Sequence, residues 1–384
     1  MIGLILLPFY ILFNIYLNNR IIKWINLLIT TNSLFKYILL SIQLLLTLSL
    51  YIALLLPHGN MKKILNIIGN YYLGFMIYVA ITLILLFIIN LIFKNSINNS
   101  INNNIHIIEG FIAIILVVFI TMYGNINSSI IHTTKYEVSI NKKSNLKELK
   151  IVMVADMHLG YNKGLKLVKD MVSKINKEKP DIVLMAGDTF DNDYDALDRP
   201  NLMIKELKKI KTKYGVYSVY GNHDVKENII LGFTFQDKKQ KYSDTRMDDF
   251  LKRANIKILD DEYVLIDDVY IYGRPDYAKY KNRKSVNQMI KNMDTSKPII
   301  VVDHQPKELD KLSKANVDLD LSGHTHDGQI FPLSLLVKLA YKNSCGIKKF
   351  NNMTSIVTSG VGLYGPNMRV LTKAEITSIN VKFK

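Results

Sequence analysis

Aspartate, histidine and asparagine residues of the kind that bind metal ions follow five separate β-rich runs in the second part of the chain. The motifs are Asp156-Met-His158, Gly187-Asp188-Thr-Phe-Asp191, Gly221-Asn222-His223-Asp224, His304 and Gly323-His324-Thr-His326. Five of the eight histidines lie in these motifs, whereas His58, His106 and His132 lie elsewhere. Each motif alone is typical of an ordinary turn or polar loop. Five of them in order at strand ends predict one shared metal site.

The types of ligand indicate which metals would bind. Carboxylate, imidazole and amide groups together suit Mn, Fe, Zn or Co better than Ca. Two divalent ions ~3.5–4 Å apart repel each other, so carboxylates must offset the charge and one ligand must be shared. Glycines beside Asp188, Asn222 and His324 let the backbone turn sharply and bring these side chains together. Cys345 is the only cysteine, so a Cys-based metal site or redox pair is excluded.

The elements that must position these residues alternate between short β-rich runs and amphipathic helices from residue 149 onward. Residues 149–155, 181–186 and 215–220 are predicted strands, and residues 164–178 are a predicted helix with an apolar face. Such alternation predicts an α/β layered fold. In these folds, reactive residues gather on the loops that leave the carboxyl ends of the strands.

The first third of the chain has a different composition. Its four apolar stretches, residues 2–17, 37–56, 71–93 and 107–123, are each near the ~20 residues that cross a bilayer as a helix. Only six of the 49 basic residues and one of the 33 acidic residues precede Gly124. We therefore predict an all-α membrane module of about four transmembrane helices.

These patterns predict three regions. Residues 1–126 form the membrane module, residues 127–148 a linker and residues 149–384 the soluble domain. Residues 95–104, rich in Asn, Ser and Ile, are expected to form a loop between helices. A further strand is predicted at residues 135–140, near the end of the linker.

Basic residues in the loops indicate the orientation in the membrane. Arg20, Lys23 and Lys36 in the first loop favour an outside N-terminus, which after four crossings puts the soluble domain outside the cell. Three lysines after the last stretch argue for the opposite orientation. The formal charge of +16 comes mostly from scattered lysines, which is typical of a solvated surface. Attraction to an anionic membrane is the next interpretation.

The ordered motif set resembles the calcineurin-like metallophosphoesterases over residues 149–384. The resemblance implies a two-sheet β-sandwich flanked by helices and the hydrolysis of phosphate esters with two divalent metal ions. It also implies that His223 protonates the leaving oxygen and that Asp191 orients His223. The ligands that it implies are Asp156, His158, Asp188 and His326 for the first ion, and Asp188, Asn222, His304 and His324 for the second.

Some residues of these motifs have a simpler interpretation. Asp191 is also typical of a turn or a helix start, and Asp224 is expected to be a structural acid and not a ligand. Two positions depart from related sequences, which have Gly in place of Asp327 and often Arg in place of Ser359. Both departures would weaken the binding of an anionic substrate.

Residues 330–341 are apolar, directly follow the His324 motif, and are flanked by lysines. They predict either a core or lid helix or a membrane-facing lip that admits a lipid-linked phosphoester.

The predicted function is therefore that of a multi-pass cell-membrane phosphoesterase acting on phosphodiesters or phosphomonoesters. Lipid and cell-envelope phosphates are candidate substrates, and membrane lipid is the expected partner. One alternative is a nuclease that uses the Lys- and Tyr-rich residues 270–284 as a binding groove, although this segment is also typical of an ordinary hairpin and helix. Nucleic acid is thus the less favoured partner. Another alternative is a non-catalytic scaffold or sensor, which should have lost metal ligands, whereas here none is lost.

Overall fold

The computed structural model describes residues 2–93, 102–225, 228–230, 233–235, 244–280 and 282–384. The chain forms two compact units. The helical unit consists of Met1–Ile126, Ile229–Phe235 and Gly365–Met368. The α/β unit consists of Asn127–Asn228, Gln236–Tyr364 and Arg369–Lys384.

Long apolar helices make up most of the helical unit. They are α1 (Ile2–Ile25), α2 (Ser33–Leu55), α3 (Asn60–Phe93) and α4 (Asn102–Asn127). Within the described chain, three segments are long and apolar enough to cross a membrane, namely Ser33–Leu55, Asn60–Ile92 and Asn104–Asn127. The prediction of an apolar helical module is confirmed, with three candidate spans where the sequence predicts about four. Of the predicted loop at residues 95–104, residues 95–101 lie outside the described part of the chain.

A buried polar contact connects α1 with α3. The Tyr72 hydroxyl donates to Asn14 Oδ1 at 2.5 Å, and the Asn14 amide nitrogen donates to the carbonyl of Tyr10. An unpaired amide in apolar surroundings would be costly. This contact therefore favours one arrangement of the two helices.

Fourteen strands are described, and twelve of them form two six-stranded sheets. They are β1 (Ile131–Ile140), β2 (Glu148–Val154), β3 (Ile182–Met185), β4 (Val216–Ser218), β5 (Asn228–Ile230), β6 (Phe233–Phe235), β7 (Ile256–Ile258), β8 (Glu262–Ile266), β9 (Val269–Gly273), β10 (Ile299–Val302), β11 (Leu319–Ser322), β12 (Gly346–Phe350), β13 (Met353–Val357) and β14 (Ala374–Phe383). The first sheet has the order β1-β14-β2-β3-β4-β7 and the second β12-β13-β11-β10-β9-β8. Strands β5 and β6 pair with each other.

Helices cover the outer faces of the two sheets. They are α5 (Leu165–Glu178), α6 (Pro200–Leu207), α7 (Thr245–Arg253), α8 (Val286–Ile290) and α9 (Leu309–Lys314), and a further helix, α10 (Leu333–Ala340), follows the loop after β11. Strand β2 shows how the layers form, because alternate side chains point to opposite faces of a strand. Ile151 and Met153 pack in the core between the sheets, whereas Val152 and Val154 pack under α5. The two mixed sheets flanked by helices confirm the predicted fold class.

Strand β1 lies within residues 127–148, which the sequence predicts as a linker. It pairs in parallel with β14 along its whole length, from Ile131 opposite Ala374 to Ile140 opposite Phe383. Strand β14 in turn pairs antiparallel with β2. The predicted strand at residues 135–140 is thus the second part of an edge strand, which belongs to the sheet itself.

Candidate metal centre

Parallel strands bring the five motifs to one edge of the sandwich. Strands β2, β3 and β4 are parallel neighbours in the first sheet, and β10 and β11 are parallel neighbours in the second. Their carboxyl ends therefore open on the same side, which is where ligands bind in layered α/β folds. The predicted site residues follow these ends, with Asp156 and His158 after β2, Asp188 and Asp191 after β3, Asn222 and His223 after β4, His304 after β10, and His324 and His326 after β11.

One group of side chains that could hold a metal ion consists of Asp156, His158 and His326. All three are buried. The two imidazole Nε2 atoms are 3.0 Å apart, and His326 Nε2 is 3.6 Å from Asp156 Oδ1. The structure therefore brings together residues that are 170 positions apart in the sequence.

A second group consists of Asp188, His304 and His324. His304 Nε2 is 3.1 Å from Asp188 Oδ2 and 3.2 Å from His324 Nδ1. Asn222 joins this group, because its Oδ1 atom is 3.0 Å from His304 Nε2. The same Asp188 Oδ2 atom is 3.6 Å from His158 Nε2 in the first group. One carboxylate thus lies between the two groups.

The contacts between ring nitrogens test whether these residues fit metal ions. Two imidazole nitrogens only about 3 Å apart make a poor hydrogen-bonded pair when each must also satisfy a carboxylate, but both can direct a lone pair at one cation. This arrangement occurs in both groups, between His158 and His326 and between His304 and His324. The mixed imidazole and carboxylate donors suit a divalent transition metal. The residues therefore fit such ions.

Backbone strain also concentrates here. Non-glycine residues avoid the left-handed region, at a cost of roughly 1–3 kcal/mol each, and usually adopt it only where the surrounding structure enforces it. Five predicted ligands do so, namely Asp156 (φ 56°), His158 (φ 45°), Asp188 (φ 51°), His324 (φ 73°) and His326 (φ 50°). The fold thus maintains an unfavourable backbone in order to direct these side chains inward.

The electrostatics of the site favour positive charge beside Asp188. Burial alone would raise the pKa of Asp188, but the imidazoles of His304 and His223 outweigh burial and hold that pKa well below its usual value. Burial likewise would lower the pKa of His304, yet the Asp188 carboxylate raises it well above its usual value. Burial raises the pKa of Asp156 to about 6. A divalent cation supplies the charge that such a buried pair of carboxylates requires.

The His223 ring contacts Asn192, a residue that no sequence motif indicated. The Asn192 amide nitrogen donates to the Val225 carbonyl at 3.1 Å, so Asn192 Oδ1 faces the His223 ring and accepts from its Nδ1–H. Asp191, for which the family resemblance implies the orienting role, has its Oδ1 3.8 Å from His223 Nδ1 but 3.4 Å from His158 Nδ1. The Asp191 carboxylate thus lies nearer to His158 than to His223, and the neighbouring Asn192 amide contacts His223. The sequence feature that could have indicated this contact is Asn192 itself, a second polar side chain directly after Asp191.

Asp224 holds two loops together. Its carboxylate accepts from the backbone N–H groups of Asp188, Gly221 and Phe190 at 2.7–3.0 Å. These bonds connect the loop after β3 with the loop after β4. They fit the structural role that the sequence predicts for Asp224.

Arg369 is another residue that no local motif reveals. Its fully buried guanidinium donates to the carbonyls of Ser359, Gly360 and Gly362 and to the carbonyl of His326. Although Ser359 replaces the arginine that related sequences often have, an arginine from further along the chain thus binds the same loop. Arg369 thus connects that loop by hydrogen bonds to the segment that carries His326.

Comparisons with known proteins agree with this geometry. Residues 149–328 match the family model described as calcineurin-like phosphoesterase. An uncharacterized metallophosphoesterase of Helicobacter pylori is 34% identical over 242 residues, which cover 61% of this chain and 60% of that protein. Another, from Campylobacter jejuni, is 31% identical over 275 residues, covering 71% of this chain and 69% of the relative.

A third relative adds a link to membranes. A Danio rerio protein named transmembrane protein with metallophosphoesterase domain is 27% identical over 287 residues, covering 71% of this chain and 62% of that protein. The chain thus spans about 60% of the length of the Helicobacter pylori and Danio rerio relatives. The match to the family model, the identity to the Campylobacter jejuni relative over most of its length, and the converging motifs lead to one conclusion. The chain belongs to the calcineurin-like metallophosphoesterase family.

Proposed function

We propose that this protein is a membrane-anchored hydrolase that cleaves phosphate esters with two divalent transition-metal ions, drawn from Mn, Fe, Zn and Co. The observation that carries the proposal is the position of Asp188. Its Oδ2 atom lies 3.1 Å from His304 Nε2 and 3.6 Å from His158 Nε2, within reach of both groups of candidate ligands. A shared carboxylate of this kind is what a pair of closely spaced cations requires.

The proposed ligands follow from the two groups. They are Asp156, His158, Asp188 and His326 for the first ion, and Asp188, Asn222, His304 and His324 for the second. Bound ions would lower the pKa of water and neutralise the charge on phosphoryl oxygens. Asp191, 3.4 Å from His158 Nδ1, would favour the tautomer that carries its proton on Nδ1 and leaves His158 Nε2 able to bind an ion.

His223 is the proposed proton donor to the leaving oxygen. Asn192 accepts from Nδ1, which leaves Nε2 as the atom that exchanges a proton with substrate. The rings of His158 and Tyr364 lie 4.9 and 4.6 Å from the His223 ring, so its plane is held in place. A positioned general acid contributes about 10²–10⁴-fold to a rate.

A membrane location has two sources of support. Three helices of the described chain are long and apolar enough to cross a bilayer, and the Danio rerio relative is named a transmembrane protein. Together they indicate a membrane protein. The side of the membrane on which the α/β unit lies remains a proposal from the loop charges, which favour the outside.

The alternative of a nuclease has little support. Its predicted groove, residues 270–284, contains Arg274 and Arg283, and both guanidinium groups are buried and paired with Asp303 and Glu308. These two charges are engaged within the fold and are not available to bind a phosphate backbone. The scaffold alternative predicts lost ligands, whereas all seven candidate ligand residues are present and converge.

The test uses the full chain in detergent, since a fragment that starts at residue 149 would lose β1 from the sheet edge. Metal-free protein is assayed with bis-p-nitrophenyl phosphate and p-nitrophenyl phosphate after addition of Mn, Fe, Zn or Co, with Mg for comparison. Asp188→Asn should lose both bound metal and activity, whereas His223→Ala should retain metal. Asp170→Asn, a surface change on α5, serves as the control. The proposal fails if no metal supports hydrolysis or if Asp188→Asn remains fully active.

A further inference from the structure

Helix α10 has its apolar side turned away from the protein. Ser334 is the one buried residue within its eight residues, all of which are described. Leu335, Leu336 and Leu339 are 51%, 61% and 86% exposed. A helix of a soluble domain directs its apolar stripe toward the core, so α10 has the opposite arrangement. Its leucine face requires another apolar partner.

The exposed apolar surface continues beyond the helix. Phe331, just before α10, is 40% exposed, and its backbone N–H donates to the Val370 carbonyl. This bond brings the segment of Leu371, which is 70% exposed, alongside Phe331. We define the leucine patch as these two residues together with the exposed leucines of α10. Such an extended apolar surface is typical of an interaction site and not of isolated surface leucines.

The leucine patch reaches the candidate metal centre through Tyr341. This residue follows α10 directly, and its ring is 6.0 Å from the ring of His324, a proposed ligand. The ammonium of Lys307 lies 4.5 Å from the centre of the same Tyr341 ring. An aromatic ring with a cation over it thus separates the apolar surface from the metal ligands. A molecule with an apolar tail and an anionic head would match this arrangement, with the tail on the leucine patch and the head beside Lys307 and the metal ligands.

The chain itself indicates which apolar partner is available. Helix α4, a candidate membrane span, ends at Asn127, and the first strand of the α/β unit begins at Ile131. The Asn127 side chain donates to the carbonyls of Arg369 and Thr372, which flank Leu371, so the end of this candidate span lies close to the leucine patch. Exposed Lys338 within α10, and Lys348 and Lys349 on β12, add the basic charge that anionic headgroups attract.

We infer that α10 is an interfacial helix whose leucine patch inserts among the lipids of the protein's own membrane, and that the substrate is a phosphoester of a membrane lipid. The lipid tail stays along the leucine patch, and its phosphate passes Tyr341 to reach His324. This inference rests on the proposed function, since it specifies the substrate class of the same site.

The first test compares two esters that differ only in chain length, hexadecyl p-nitrophenyl phosphate and ethyl p-nitrophenyl phosphate. The full chain is reconstituted in vesicles of phosphatidylcholine and phosphatidylglycerol. The wild type should prefer the hexadecyl ester by at least tenfold in kcat/KM. The triple substitution Leu335→Ser, Leu336→Ser and Leu339→Ser should lower this ratio at least tenfold. Leu265→Ser should leave both rates unchanged, because Leu265 is 47% exposed on β8, at the far edge of the second sheet.

The second test measures lipid contact without relying on activity. In a Cys345→Ser background, Leu336→Cys and Leu265→Cys are each labelled with a fluorophore in the reconstituted full chain. Lipids brominated in their acyl chains should quench the label at position 336 and not at position 265. Equal quenching at both positions would overturn the inference. So would cross-linking of position 336 between two copies of the chain without quenching, which would assign the leucine patch to a protein contact.

The outcomes separate the two proposals. Hydrolysis of both esters without a chain-length preference would overturn the lipid substrate and leave the proposed phosphoesterase standing. Hydrolysis of neither ester, nor of p-nitrophenyl phosphate, with any metal would overturn the proposed function and, with it, the lipid substrate. In that case the quenching result still decides whether α10 contacts lipid.

Discussion

Replacement of Asn192 tests how the proposed proton donor is oriented. Asn192→Ala removes the oxygen that accepts from His223 Nδ1 and leaves this buried N–H without its partner. An unsatisfied buried donor costs about 1–3 kcal/mol. Since 1.36 kcal/mol corresponds to a factor of ten in rate, the proton-donation step should slow about 5- to 150-fold. This loss should not exceed that of His223→Ala, because the whole general acid contributes about 10²–10⁴-fold.

The nature of the leaving group separates this effect from general damage to the site. A glycerophosphodiester leaves an alkoxide, which needs a proton, whereas bis-p-nitrophenyl phosphate leaves a stable phenolate that does not. Asn192→Ala should therefore slow the first substrate by the full factor and the second by less than threefold. Metal content, measured by mass spectrometry, should be unchanged in the variant.

A conservative variant adds a pH readout. Burial lowers the pKa of His223 to about 4. Asn192→Asp keeps an acceptor and adds negative charge, which raises this pKa. Since the donor must be protonated, the fall of kcat with rising pH should move to higher pH in this variant. The reasoning is refuted if Asn192→Ala slows both esters equally, or if Asp191→Ala reproduces the leaving-group effect while Asn192→Ala does not.

Three further predictions concern metal binding and stability. Gly221→Ala should lose bound metal and at least a hundredfold in kcat/KM, because its Cβ would lie 2.1 Å from Asp188 Oδ1. The control Gly164→Ala, whose Cβ would have its nearest neighbour at 3.4 Å, should stay within twofold of the wild-type kcat/KM. Equal effects of the two substitutions on metal content and rate would contradict this. Burial raises the pKa of Asp320 from 3.8 to about 7. Between about pH 4 and 7 the Asp320 carboxyl is therefore protonated in the folded state but ionised in the unfolded state, so the stability of the folded state falls as pH rises through that window. Asp320→Asn should therefore raise the melting temperature in detergent at pH 8 more than at pH 5, and an equal change at both would contradict the pKa shift. Treatment with EDTA should abolish hydrolysis and lower the melting temperature, because an ion at a hundredfold excess over its Kd contributes about 2.7 kcal/mol to the stability of the folded state. Re-addition of Mn or Zn should restore both activity and melting temperature. An unchanged melting temperature would argue against a metal-binding fold.

The candidate ligands could be predicted from the sequence because each follows a recognisable strand. A strand exit places a side chain at the same sheet edge as the exits of its parallel neighbours, so Asp156, Asp188 and His304 could be grouped from the sequence alone. The candidate membrane spans were equally accessible, since length and hydropathy are local properties. Both inferences depend only on residues close together in the chain.

Contacts between distant segments were decided by the tertiary structure. Strand β1 seemed to be part of a linker because its partner, β14, lies more than 200 residues away. Arg369 carries no motif, yet its burial places it on four carbonyls of the site. Such pairings depend on how the layers stack, which local sequence patterns do not encode.

The directions in which side chains point likewise could not be predicted from the sequence. Asp191 and Asn192 are adjacent in one loop, and only the backbone geometry decides that the amide meets His223 while the carboxylate meets His158. In α10 the sequence predicts an apolar helix but leaves open whether it packs inside or faces outward. Packing turned Ser334 inward and the leucines outward. Residue type and spacing thus determined the chemistry that is available, whereas backbone dihedral angles and layer packing decided where each side chain points.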